Sequence, residues 1–187
     1  GKNALPEGKT YPFVSVLKPI RHMDDEIDKN LESLFVLDYP SYEIIFAVDA
    51  LSDPVNDVIK KLMARYPHIK ARIMETGHNG VENPKIHKLS LMEAQAEGSL
   101  FWTTDSNIRS GKDTLKRLVH EYLNSGARII FSPIRAMGGR TIGSIIENAY
   151  INYFLSGNVI AAWQMCKQHI IVGKSMLIER DALARFG

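Results

Sequence analysis

Short apolar runs alternate along this chain with stretches of helical periodicity, and that alternation leaves few folds open. Phe13–Leu17, Glu43–Val48, Ala71–Met74, Leu100–Thr104 and Arg128–Ser132 read as strands. Ile27, Leu31, Leu34 and Phe35 recur at helical spacing between the first two, in a helix capped by Asp24 or Asp25 and stopped by Pro40. Ser52-Asp53-Pro54 opens a second helix, with Asp53 at N-cap, Pro54 at N1 and a stripe of Val58, Ile59, Leu62 and Met63. Further helices are expected over Lys85–Ala96 and Asp113–Asn124. Near-continuous apolar strands joined by helices predict an α/β fold, with a mostly parallel central sheet covered on both faces. After Gly138-Gly139 the pattern changes: a long helix over Thr141–Val159, an apolar segment Ile170–Val172, then Lys174–Glu179.

At 187 residues the chain suggests one domain, of roughly the usual 100–200 residues, and one large enough to bury a core unaided. It reads as an N-terminal extension over 1–11 and a domain over 12–187, and the absence of an initial methionine suggests an excised piece. A hydrophobic content of 45% excludes a disordered or low-complexity chain. The single Cys166 excludes an intrachain disulfide framework, and the six histidines lack metal-ligand spacing. A net charge of +2 gives no general case for nucleic acid as a partner. The longest apolar stretch, Ile142–Trp163, is broken by Glu147, Asn148, Asn152 and Asn158, so it predicts an amphipathic or buried helix rather than a membrane span.

Ligands of open parallel sheets bind beyond the carboxyl ends of the strands. The residues expected there are Lys18-Pro19, Asp49, Asp53, Gly77–Lys85, Asp105-Ser106-Asn107 and Pro133–Arg135. Three carboxylates and two lysines at one rim suit a phosphorylated ligand with a metal. Each also has a plainer reading. Asp105-Ser106-Asn107 is either a turn or a hard-cation site made of carboxylate and amide oxygens. Asp53 is a helix cap that also lies at the rim, and Lys85 is either a solvated first-turn lysine or a cation for a diphosphate.

The common nucleotide and hydrolase signatures are missing. There is no GxGxxG and no GxSxG. Gly77-His78-Asn79-Gly80 precedes Lys85 without the Gly-Lys-Ser/Thr of a Walker loop.

An ordered set of segments resembles glycosyltransferase family 21, the ceramide glucosyltransferases and their relatives. It runs through Pro12–Pro19, Asn30–Phe35, Leu37–Glu43, Ser52-Asp53-Pro54, Lys60-Lys61-Leu62, Tyr66-Pro67 and Ala71-Arg72. It continues with Asn83-Pro84-Lys85-Ile86 and Asp105–Arg109, weakens, and returns at Val172–Met176 and Arg180–Leu183. The resemblance implies a GT-A fold, a UDP-sugar donor, a divalent metal (magnesium or manganese) and a lipid acceptor at a membrane surface. It implies a domain on the cytosolic face of a membrane-associated parent, the fragment itself being soluble. Asp53 matches the family's first aspartate, Asp105 its second, and Lys85 the lysine of its Asn-Pro-Lys segment. The third aspartate, the family's general base, and the Arg-Trp motif are expected beyond Gly187, so no catalytic residue is expected within the chain.

The implied nucleotide-sugar site is thus Pro19, Asp49, Asp53, Lys85 and Asp105, with Asp105 and Asn107 as metal ligands. Asn107 stands where the family usually has glycine, and either Asp49 or Asp53 reads the uracil. Two other functions stay open: a related transferase using a polyprenyl-phosphate or hopanoid acceptor, and a non-catalytic nucleotide-sugar-binding module. For Ile142–Trp163 a core helix competes with one at the bilayer interface, where Tyr150, Tyr153 and Trp163 would suit the headgroup region.

Overall fold

Strand β1 (Val14–Pro19) runs through the middle of a six-stranded sheet and is buried along its whole length. The computed structural model describes residues 10–21, 23, 26–77, 83–132, 134, 135, 146 and 174–183. Helix α1 (Ile27–Phe35), β2 (Tyr42–Val48), α2 (Val55–Arg65), β3 (Lys70–Glu75) and α3 (Pro84–Gln95) follow β1. Then come β4 (Leu100–Thr104), α4 (Thr114–Ser125), β5 (Ile129–Phe131), β6 (Ser175–Glu179) and the short α5 (Arg180–Leu183).

The sheet order is β3-β2-β1-β4-β6-β5. β1 pairs in parallel with β2 on one side and β4 on the other, and β2 pairs in parallel with β3. Strand order therefore reverses between β1 and β4, and the crevice at their carboxyl ends is the topological switch point where such sheets bind ligands. The sheet is mostly parallel, as expected, and the exception is β6. Among the described residues β5 pairs with β6 alone, and β6 lies antiparallel to both β4 and β5, so that β5 runs in the same direction as β4. The Trp102 indole donates across β4–β6 to the Ser175 hydroxyl (3.0 Å) and fixes that antiparallel join.

Alternation along the strands divides the core in two. Val14, Val16, Ile44, Phe46, Val48 and Trp102 meet Leu31, Leu34, Ile59, Leu115 and Val119 of α1, α2 and α4. Leu17, Ile45, Ala47 and Phe101 turn to the other face, against Met92 and Ala96 at the α3 end.

Two expected caps are corrected. α1 starts after Glu26, which sits at φ 57° with no side-chain cap bond. Its carboxylate is engaged instead by Lys29 (2.6 Å) and Arg109 (2.8 Å). α2 begins at Val55 rather than Pro54, although the Asp53 carboxylate still accepts the Val55 N–H (3.0 Å). Of the segment Ile142–Trp163 only Ile146 is described; it is helical and 63% exposed, and the rest, with Ile170–Val172, lies outside the described residues. Among the described residues no helix is long and apolar enough to cross a membrane.

Candidate nucleotide-sugar site

The geometry of the rim is set by the start of α3. Asn83 occupies the N-cap in an extended conformation and accepts the Ile86 N–H (3.3 Å). Pro84 follows where its missing N–H costs nothing. This cap places Lys85 in the first turn and Lys88 three residues on, along the same helical face. The Lys85 ammonium lies 2.5 Å from Asp105 Oδ1, just beyond β4. The Lys88 ammonium, only 3% exposed, lies 2.8 Å from Asp49 Oδ1, just beyond β2. Lys88 also donates to the Ile20 carbonyl, just beyond β1. One helix face thereby ties together the ends of three neighbouring strands.

The turn after β4 is held from the other side. Lys18 is completely buried on β1 and donates to the Asp105 carbonyl and to the Ile108 carbonyl (3.2 Å). The Ile108 N–H closes the turn on the Asp105 carbonyl (3.1 Å). Lys18 therefore holds the rim through backbone carbonyls, and the two lysines that meet rim carboxylates are Lys85 and the buried Lys88. Sequence reasoning missed Lys88, and the available signal was its i, i+3 spacing from Lys85 on a helix opening at the rim.

The remaining expected residues divide. Pro19 ends β1 beside Ala47 and is buried. Asn107 lies exposed in the turn after Asp105. Asp53 is partly buried, and its carboxylate serves the start of α2. Gly77 is described and bonds to the Asp49 carbonyl (3.1 Å), whereas 78–82 and Pro133 lie outside the described residues.

Among the described residues, no group of three or more His, Cys, Asp or Glu side chains could hold a metal unaided. Asp105 and Asn107 offer a carboxylate and an amide oxygen in one turn. That fits a cation whose other ligands are water and phosphate oxygens, the usual way magnesium is held. The Lys85 ammonium beside Asp105 marks the same place as one that accepts positive charge. A separate groove of about 440 Å³, lined by Phe35, Leu37, Tyr39, Tyr42, Tyr66 and Ile69, opens at the amino ends of β2 and β3, away from this rim.

Known proteins resemble the chain in both sequence and fold. The ceramide glucosyltransferase of Komagataella phaffii is 34% identical over 122 residues, covering 63% of this chain and 24% of that protein. Ceramide glucosyltransferase 1 of Caenorhabditis elegans is 27% identical over 184 residues, covering 95% of this chain and 40% of that protein. The chain thus spans less than half the length of these relatives. A mannosyltransferase of Pyrobaculum calidifontis in complex with GDP-Man and Mn2+ superposes with a TM-score of 0.69 at 18% identity, covering 98% of this chain and 49% of that one. Glucosyl-3-phosphoglycerate synthase of Mycobacterium tuberculosis, in complex with Mn2+, UDP and glucosyl-3-phosphoglycerate, superposes with a TM-score of 0.58 at 16% identity, covering 92% of this chain and 58% of that one. The shared fold is the GT-A fold of glycosyltransferases. The model of the family described as glycosyl transferase family 21 matches residues 2–187, and the chain belongs to that family.

Proposed function

We propose that this chain binds the donor in an inverting glycosyltransferase that moves glucose from UDP-glucose to a membrane lipid such as ceramide. The observation that carries this reading is the rim at the β1/β4 switch point, where Lys85 meets Asp105 and Lys88 meets Asp49. The similarity to ceramide glucosyltransferases supports the choice of sugar and lipid.

In the reaction the acceptor hydroxyl attacks the anomeric carbon as the bond to the diphosphate oxygen breaks, and UDP departs. Asp105, with Asn107, would hold a divalent metal; bound there, it supplies positive charge to the leaving diphosphate. Lys85 adds a cation from the first turn of α3, and Pro19 and Asp53 border the nucleotide. Asp49 accepts the imide N–H of uracil. Asp49 and Asp105 each take a lysine, and Asp53 takes the Val55 N–H. Groups so engaged bind and orient; removal of the acceptor proton falls to a residue outside those described.

Titration calorimetry of the chain with UDP, UDP-glucose and GDP-mannose, with manganese or with EDTA, tests the reading. Uridine nucleotides should bind more tightly with metal, and Asp105→Ala should abolish the metal-dependent part while the fold stands. Equal binding in EDTA refutes the metal role, and preference for GDP-mannose refutes the donor.

A further inference from the structure

Lys88 is the unusual group at the rim, because an ammonium is rarely so fully withdrawn from water. Its two neighbours explain the burial. The Ile20 carbonyl anchors it from the end of β1, and the Asp49 carboxylate neutralises it from the end of β2. Asp49 itself keeps a quarter of its side-chain surface exposed. The ion pair is thus buried on its cationic side and open on its anionic side. A carboxylate with one oxygen held by a buried cation cannot rotate without breaking that bond, and acceptor capacity remains on Oδ2.

We infer that Lys88 is a positioning residue for nucleobase choice: it holds Asp49 oriented so that its second oxygen accepts the imide N–H of uracil. This rests on the proposed binding of a uridine nucleotide. Cytosine presents an acceptor at the corresponding ring nitrogen, so a fixed carboxylate there favours uracil and repels cytosine. Lys85, one turn earlier, meets Asp105 instead. α3 thereby serves the two ends of the nucleotide separately: Lys88 the base, Lys85 the diphosphate.

The test compares UDP, CDP and inorganic pyrophosphate by calorimetry in manganese. The wild-type chain should prefer UDP to CDP by roughly ten- to a hundredfold, the worth of one hydrogen bond to a charged group. Lys88→Met should erase most of that preference by weakening UDP, while pyrophosphate affinity changes by less than about twofold. Asp49→Asn should do the same, and the double variant should lose no more than either alone, because the two residues act as one unit. Lys88→Gln is the second variant should Lys88→Met fail to fold; its amide still reaches for the Ile20 carbonyl but brings no charge to Asp49.

Loss shared equally by UDP, CDP and pyrophosphate would mark Lys88 as general scaffolding and overturn the inference. So would a folded variant with unchanged preference, or a wild-type chain indifferent between UDP and CDP. A wild-type chain that binds no uridine nucleotide overturns the functional reading itself, and the inference with it.

Discussion

Asp105 is held by two lysines at once, Lys18 on its backbone carbonyl and Lys85 on its carboxylate. The two arrive from opposite faces of the sheet. Lys18 shares the β1 face of Val14 and Val16, while Lys85 comes from α3, which covers the other face. The backbone of the turn is thus fixed independently of the side chain that it presents. Under the proposed function, such separation would let the carboxylate present one geometry to a metal that also binds the diphosphate.

Lys18→Met should destabilise the chain by about 2–4 kcal/mol, because the carbonyls of Asp105 and Ile108 lose a charged donor within a buried site. Asp105→Ala keeps those carbonyls and should cost far less. Urea unfolding at neutral pH measures both. An unchanged midpoint for Lys18→Met would show that the turn holds without it.

Asp53 separates capping from ligand contact. Its carboxylate accepts the Val55 N–H, so Asp53→Ala should cost about 1 kcal/mol, and Asp53→Asn should retain most of the stability. If Asp53 also borders the nucleotide, Asp53→Asn should weaken UDP-glucose binding without lowering the melting temperature. Binding that follows stability alone in both variants would assign Asp53 to the cap only.

Gly98 tests a contact at the opposite, amino-terminal edge of the sheet. A Cβ there would come within 2.5 Å of the Ser15 amide nitrogen and 2.7 Å of the Leu100 carbonyl oxygen. Both are backbone atoms of the central strands and cannot give way cheaply. Gly98→Ala should therefore lose about 2 kcal/mol or more in urea, within the range of overpacked cores. Ser15→Ala should not rescue it, since the amide nitrogen remains. A stable Gly98→Ala chain would show that this strand end moves freely.

Much of this fold is legible in the sequence because burial on both faces writes itself as an uninterrupted apolar run. Leu100–Thr104 is bounded as expected, and β2 and β4 are buried end to end. The insertion of an antiparallel β6 between β4 and β5 is not legible, because it joins strands distant in sequence, β6 lying more than 40 residues beyond β5. Asn83-Pro84 announces the start of α3 through local capping chemistry, so Lys85 is found from sequence. Lys18 is placed at the rim from sequence but its burial is not foreseen, and Lys88 is missed altogether, since an isolated lysine gives no sign of burial until the carbonyls and carboxylate around it are known. The start of α1 is also missed: Asp24 and Asp25, the expected caps, lie outside the described residues, and the helix starts after Glu26, whose carboxylate meets Arg109, a residue 83 positions away.

Alkaline pH probes the amino-terminal edge of β2. The Tyr42 hydroxyl donates to the Leu34 carbonyl (3.0 Å), and burial pushes its pKa up to about 12 from an ordinary value of 10.0. Tyr39 is raised in the same direction, again chiefly by burial, with its hydroxyl on the Pro12 carbonyl (2.6 Å). Unfolded tyrosine loses its proton near pH 10, whereas native Tyr42 keeps it to about 12, so between these values the unfolded chain binds fewer protons than the native one. Stability from this source is complete below pH 10 and falls as pH rises through 12. At about 1.4 kcal/mol per pH unit, Tyr42 alone accounts for roughly 2–3 kcal/mol across that window. Tyr42→Phe should cost about 1 kcal/mol at pH 8 through the lost hydrogen bond, yet flatten the decline above pH 10, so that the two chains cross near pH 11 and the variant is the more stable at pH 11.5. Urea midpoints at pH 8, 10 and 11.5 measure this, and parallel curves for the two chains would show that the phenol ionises as freely in the folded state as in the unfolded one.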